Sequence, residues 1–212
     1  MCLKKHHLHC IRKFSGSLIV YVEYTDKSME NSDVRAKEKV KGERNTEAEG
    51  RNGMPEIHDI IFKSKQNIPW NDVEKYLKKY IGSTYIVEIY KDKISIAGDF
   101  PDEYAESKYT KSLRGALAKA KANAAQIIGD LISSAENRRW IENKNSKHSK
   151  DASQGWYRYD TYFIVPVKGS DEMVERKNVY GATLVVRKTE QGMFLYDMIN
   201  IKKEASMPLK SK

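Results

Sequence analysis

The chain has 212 residues and carries 38 Lys and Arg against 29 Asp and Glu, a formal net charge of +9. This excess of cations favours a polyanionic partner such as nucleic acid. The alternative is a basic protein without such a partner. Two cysteines, Cys2 and Cys10, exclude a disulfide framework, and the apolar run 18–22 is far too short to cross a bilayer. We therefore expect a cytoplasmic protein with no membrane partner.

Residues 1–55 are predicted to form a polar, weakly structured arm. Between residues 26 and 53 nearly every side chain is charged, amide or hydroxyl, or the residue is glycine, and too few apolar groups remain to offset the entropy of ordering. The two cysteines and three histidines near the N-terminus match no compact zinc spacing. We expect neither a metal nor a cofactor.

Residues 56–206 are predicted to form a single domain, followed by a tail at 207–212. Apolar side chains recur at three- and four-residue steps from Trp70 to Ile81, which indicates an amphipathic helix ending at Gly82. Residues 84–90 and 93–97 then read as the two strands of a β-hairpin.

An alanine-rich segment follows, and its apolar stripe keeps a helical period over about residues 110–140. This pattern predicts one long helix with a buried stripe. Asn123 lies inside this segment, where asparagine is mildly unfavourable, so we expect it to have a partner or a task.

Three strand-like runs close the domain at 156–167, 178–187 and 193–202. Short, turn-rich connections join them and favour an antiparallel meander. The segregated order of helix, hairpin, long helix and meander predicts an α+β fold in which the amphipathic helix, the hairpin and the long helix pack on the C-terminal antiparallel meander.

The basic half of the domain holds groups that could cleave RNA without a metal. In that reaction the 2′-hydroxyl attacks its own phosphate, a base and an acid move protons, and cations stabilise the added charge. Histidine has an intrinsic pKa near neutrality, so we place His148 with Lys121, Arg158 and Tyr159 as catalytic candidates. The candidates for binding nucleic acid are Lys108, Arg114, Lys119, Asn123, Lys150, Tyr157 and Arg187. The plainer alternative is that these are surface and core residues with no catalytic role.

Several ordered blocks of the chain resemble a known family. They are DFPDEY at 99–104, SKYT at 107–110, LRG at 113–115, KAKANA at 119–124, KHS at 147–149, GWYRY at 155–159, NVY at 178–180, and LYD at 195–197 through to IKKE at 201–204. Together they resemble the third of the large polyvalent protein-associated domains, modules of phages and conjugative elements. That resemblance implies a likeness to the barnase, EndoU, colicin and RelE-like nucleases at the level of fold, and fold alone does not establish activity.

The leading hypothesis is a mobile-element effector that binds RNA and cleaves it by a metal-independent acid/base mechanism. The rival is a non-catalytic accessory or anti-defence module, which would use the same basic face to hold nucleic acid, an immunity protein or a host defence protein. A structural appendage that binds no nucleic acid is a third hypothesis.

Overall fold

The computed structural model describes residues 53–64, 67–143, 152–169 and 173–209. The predicted arm lies almost wholly outside these residues. Two of the predicted site residues, His148 and Lys150, lie outside them as well.

The first half of the domain begins as the sequence predicts. Helix α1 spans Trp70–Leu77, continues as a 3₁₀ turn over Lys78–Tyr80, and buries Val73 and Leu77. Strands β1 (Thr84–Ile86) and β2 (Lys93–Ser95) pair in an antiparallel hairpin. The amphipathic helix and the hairpin are therefore confirmed.

The alanine-rich segment is not one long helix. After α2 (Phe100–Glu106) come α3 (Lys108–Ser112), α4 (Gly115–Ala124), a 3₁₀ turn over Ala125–Ile127, and α5 (Ile128–Ser133). Leu113 is extended and Gly115 has φ +58°, a left-handed conformation that glycine adopts at little cost. The helical path therefore changes direction at that glycine.

The last part of the predicted helix is a strand. β3 spans Glu136–Ile141 and pairs with β4 (Gly155–Lys168), which brings Trp140 opposite Tyr157. The helical period of the alanines ends at Ala135, and the aromatic residue and isoleucine that follow suit a sheet. Pairing with a distant strand overrides the local periodicity here.

The C-terminal meander is confirmed, with strands longer than the sequence indicates. β4, β5 (Val174–Thr189) and β6 (Gly192–Pro208) pair antiparallel, and β6 extends into the predicted tail. The hairpin does not pack on this meander but joins its edge. β2 pairs in parallel with β6, giving six strands in the order β1-β2-β6-β5-β4-β3.

The described helices pack on one face of the sheet, which confirms the α+β class. Tyr159, Thr161 and Phe163 of β4 are buried on this helix-covered face, and the Thr161 hydroxyl donates to the carbonyl of Leu131 in α5 at 3.1 Å. Tyr159 and Phe163 share one hydrophobic core with the helices. Burial of this apolar surface is the main term that stabilises the domain.

Successive side chains of a strand point to opposite faces. The residues of β4 that alternate with this core therefore lie on the opposite side, and so do their partners across β5 and β6. We call this side the outer face. Its members include Trp156, Arg158 and Asp160 of β4, Val185 and Arg187 of β5, and Phe194 and Tyr196 of β6.

Candidate nucleic-acid interface

Lys121 lies in the core and not on a binding surface. Its side chain has 0% of its area exposed, and its Nζ donates to Asp197 Oδ1 and to Thr110 Oγ1, both at 2.6 Å. The rings of Tyr104 and Tyr109 lie 4.5 and 5.2 Å from the same nitrogen. The ammonium group of Lys121 is enclosed between α4 and β6, so this residue does not reach a nucleic acid as the catalytic prediction requires.

Burial sets the electrostatics of this pair. Removal from water lowers the pKa of Lys121 to about 8, although the nearby Asp197 carboxylate opposes the shift. Burial likewise raises the pKa of Asp197, against the effect of Lys121. Both shifts disfavour the charged forms, so the pair is held by its geometry and hydrogen bonds rather than by a large net gain in energy.

Asn123 also has a structural partner. Its Oδ1 accepts from the backbone N–H of Phe62 at 3.1 Å, and its Nδ2 donates to the Phe62 carbonyl at 3.0 Å. This two-point bond ties the segment before α1 to α4. The sequence indicated a partner or a task for Asn123, and the partner is peptide backbone, so this side chain is occupied in holding the fold.

Tyr159 and Tyr157 belong to an aromatic cluster on the helix-covered side of the sheet. Tyr159 and Arg138 both bind the carboxylate of Asp92. The Tyr159 hydroxyl donates to Oδ2 at 2.7 Å, and the Arg138 guanidinium binds both oxygens. Burial and this acid raise the pKa of Tyr159. Because its pKa is raised, Tyr159 is a poor proton donor in its buried position. Its neighbour Tyr157 packs edge-on against Trp140, with ring centroids 4.7 Å apart.

A glycine makes room for that cluster. Gly155 has φ +126°, and a Cβ there would lie 2.5 Å from the Trp140 ring. Only glycine combines that backbone conformation with so close a ring. Trp140 is thereby seated over the start of β4 while 45% of it stays exposed.

Arg158 lies on the outer face, on the other side of the sheet from Lys121. It is half-buried and pairs across the sheet with Arg139 of β3 and Val185 of β5. Arg139 is held by Asp160 in a bidentate contact at 2.7 and 2.6 Å. Within the part of the chain that the structure describes, Arg158 forms no ion pair.

A β-bulge shapes the outer face beside Arg158. The register shift between Val185 and Val186 sets two residues of β6, Tyr196 and Asp197, against Val185. Asp197 reaches Lys121 on the helix-covered side, whereas Tyr196 packs edge-on against Trp156 with centroids 5.0 Å apart. One irregularity in the strand thus supplies both a core carboxylate and an outer-face aromatic ring.

Arg187 is the second arginine of this face. Its two terminal nitrogens donate to the carboxylate of Asp99 at 2.5 and 2.9 Å, and its guanidinium lies 5.4 Å from the centroid of the Phe194 ring. The remaining nitrogen, Nε, is buried and has no hydrogen-bond partner among the residues that the structure describes. The side chain is held in one orientation by these contacts.

The other cationic candidates lie on the helices. Lys108 begins α3 and is exposed, and the exposed Arg114 donates from Nη1 to the carbonyls of Lys111 and Leu113, so it closes the end of that helix. Lys119 is a half-buried residue of α4. α3 lies over β6, because the Tyr109 hydroxyl accepts from the backbone N–H of Ile201 at 2.5 Å. These cations are on the opposite side of the sheet from Arg158.

The predicted residues therefore do not form one pocket. Lys121, Asn123 and Tyr159 serve the fold, Arg158 and Arg187 share the outer face, and the helix cations occupy the other side. Comparison with known proteins adds no relative: no family model, no curated protein and no solved structure matches the chain.

Among the described residues there is no group of three or more His, Cys, Asp or Glu side chains placed to hold a metal ion. Nor does any helix in the described ranges have the length and apolar character to span a membrane.

Sequence reasoning missed Trp156, Tyr196, Phe194 and Asp99 as neighbours of the two outer-face arginines. Alternation within β4 was the available signal, because it places Trp156 and Arg158 on the same face once Tyr159 is assigned to the core. The bulge that brings Tyr196 to this face has no local sequence signature.

Proposed function

We propose that the domain binds RNA through the outer face of its sheet. The observation that carries the proposal is the grouping of Arg158 and Arg187 with the Trp156 and Tyr196 rings on the face opposite the helices. Arg158 is placed to neutralise phosphate, Arg187 is already paired with Asp99, and aromatic rings stack on bases, so this combination suits a nucleic acid. The net charge of +9 draws a polyanion to the protein from a distance.

The proposal is limited to binding because of what the catalytic candidates do. Lys121 is enclosed in the core with Asp197, and the Tyr159 hydroxyl donates a hydrogen bond to the Asp92 carboxylate that Arg138 also binds. Arg158 is the remaining described member of the proposed catalytic set. In the phage or conjugative element that the family resemblance implies, such a domain would act as the accessory RNA-binding module of the rival hypothesis.

The test compares two substitutions that each replace one cationic side chain by glutamine. Binding of a labelled oligoribonucleotide is measured in EDTA between about 50 and 200 mM salt for wild type, Arg158→Gln and Lys108→Gln. We expect Arg158→Gln to weaken binding and to reduce the slope of log affinity against log salt by about one. Lys108, which is exposed on the helix side, is the control and should change neither quantity.

Two results would contradict the proposal. One is a wild-type protein that binds no RNA at any salt concentration. The other is a loss of affinity in Lys108→Gln instead of Arg158→Gln, which would move the interface to the helices. The same samples run on a denaturing gel test cleavage. Intact RNA supports a binding module, and products formed in EDTA would restore the nuclease hypothesis.

A further inference from the structure

A single row of side chains crosses the outer face from one edge of the sheet to the other. Each member pairs directly with the next in the adjacent strand, including across the parallel β2–β6 contact. The row consists of Ile141, Trp156, Arg187, Phe194, Ser95 and Thr84. Its centre is thus an arginine between two aromatic residues, and its β1 end is a pair of hydroxyls 2.8 Å apart.

The arginine in the centre is fixed before any ligand arrives. Asp99 binds two of its nitrogens, the Phe194 ring lies beside the guanidinium, and the Arg187 side chain has only 16% of its area exposed. Because the Arg187 side chain is already held in one conformation, ligand binding costs it little further conformational entropy. Its guanidinium group is flat. Bases stack on arginine planes as well as on aromatic rings.

The spacing of the row suits successive bases. Neighbouring strands are about 4.8 Å apart, so Trp156 and Phe194, with one strand between them, stand about 10 Å apart. A sheet whose aromatic residues stack two or three unpaired bases is an established mode of RNA recognition. Bases within a duplex are already stacked on each other and cannot lie flat on such a row.

We propose that this row is a platform on which unpaired bases of single-stranded RNA stack, with the strand crossing β4, β5 and β6. The neighbouring row begins with Arg139 and Arg158, which lie opposite one another. Arg158 is placed to meet the phosphates that connect the stacked bases. This inference rests on the proposed function and adds to it the state of the nucleic acid and the residues that contact the bases.

The experiment separates base contacts from phosphate contacts. Affinity is measured by fluorescence anisotropy for a single-stranded oligoribonucleotide, for the same strand with consecutive abasic positions, and for its duplex. The full chain is used as wild type, Trp156→Leu, Phe194→Leu and Trp140→Leu. Trp140 is the matched control because it is exposed but lies on the helix-covered side of β3. Circular dichroism melts confirm that each variant is folded.

We expect the single strand to bind best, with Trp156→Leu and Phe194→Leu each weakening it about tenfold and Trp140→Leu leaving it unchanged. The abasic strand should bind wild type as weakly as the intact strand binds the Leu variants. Equal affinity for duplex, abasic and intact single strands would overturn the stacking platform. If that binding is still salt-dependent and sensitive to Arg158→Gln, the proposed function survives alone. If no RNA binds, both proposals are wrong.

Discussion

Lys121 Nζ lies 2.6 Å from Asp197 Oδ1, although the two residues are 76 positions apart in the chain. This contact joins α4 to the bulge of β6 in the centre of the core. Two charges buried together must be satisfied by each other and by hydroxyl or backbone donors, because water cannot reach them. The N–H of Met198, 2.7 Å from the same carboxylate oxygen, provides one such donor.

Replacement of Lys121 by methionine should destabilise the domain by about 3–5 kcal/mol, because it leaves Asp197 buried without its cation. Replacing both residues, as Lys121→Met with Asp197→Leu, should recover most of that loss, since an apolar pair of similar volume carries no desolvation penalty. Urea unfolding followed by circular dichroism measures the free energy of unfolding of both variants. A double variant as unstable as the single one would show that the ion pair itself stabilises the fold.

The stability of the wild-type domain should rise with pH relative to that double variant between about pH 8 and 10. In this range the unfolded chain retains the Lys121 proton, with a pKa of 10.5, while the folded chain loses it at about 8. The unfolded state then binds more protons, so the free energy of unfolding increases with pH, by at most about 1.4 kcal/mol per pH unit. Tyrosines far from Asp197 titrate in both proteins and cancel in the difference, whereas burial and, in the wild type alone, Asp197 raise the pKa of Tyr104 and Tyr109, so the comparison stays below their titration range. A flat or falling difference across urea titrations at pH 7, 8 and 9 would refute the lowered pKa.

Asn123→Ala should lower the free energy of unfolding by about 1–3 kcal/mol for each buried backbone group of Phe62 that loses its hydrogen bond. RNA affinity should be unchanged, because Asn123 lies in the core and not on the outer face. Gln126→Ala is a matched control one turn further along, since Gln126 also bonds this segment, through the Asp59 carbonyl, but at an exposed site. Weaker RNA binding by a stably folded Asn123→Ala protein would return this residue to the interface.

Gly129→Ala should destabilise the domain by about 1–3 kcal/mol, because the added Cβ would lie 2.4 Å from the Tyr85 ring. Alanine within a helix normally stabilises it by about 1 kcal/mol relative to glycine, so a loss at this position reports the clash with the β1 side chain. Gly98→Ala is the control, since nothing lies within 4 Å of a Cβ at Gly98. The melting temperature of Gly129→Ala should therefore be lower than that of Gly98→Ala. Equal melting temperatures would disprove the close packing of α5 on Tyr85.

Local patterns predicted much of this fold, and the failures have physical causes. The period-two strands of the meander and the apolar steps of α1 are short-range signals that survive in the structure. β3 was mistaken for helix because the alanine stripe continues to Ala135, and only pairing with β4 reveals the strand. The parallel β2–β6 contact joins segments about a hundred residues apart, which no local pattern records.

The candidate site was less predictable than the fold for a similar reason. A lysine in an alanine-rich helix looks like a solvated cation, and its carboxylate partner lies in another element. The structural role of Asn123 is indicated by its position, because asparagine is unfavourable within a helix unless its side chain has a hydrogen-bond partner. Grouping residues by type puts Lys121 and Arg158 together, whereas strand alternation places Arg158 on the outer face and Lys121 is enclosed by α4 and β6 on the other side of the sheet.

The position of β2 beside β6 delays the docking of the hairpin until the end of synthesis. Ser95 leaves the ribosome long before Phe194, its neighbour in the sheet. Until β6 emerges, the hairpin has no sheet edge to join. Helices α2 to α5 can then pack only on the strands already made, which are part of the sheet that they cover in the folded domain. A nascent chain stalled before Gly192 would therefore expose apolar helix surface to chaperones and proteases, and release of the final strand would close the domain in one step.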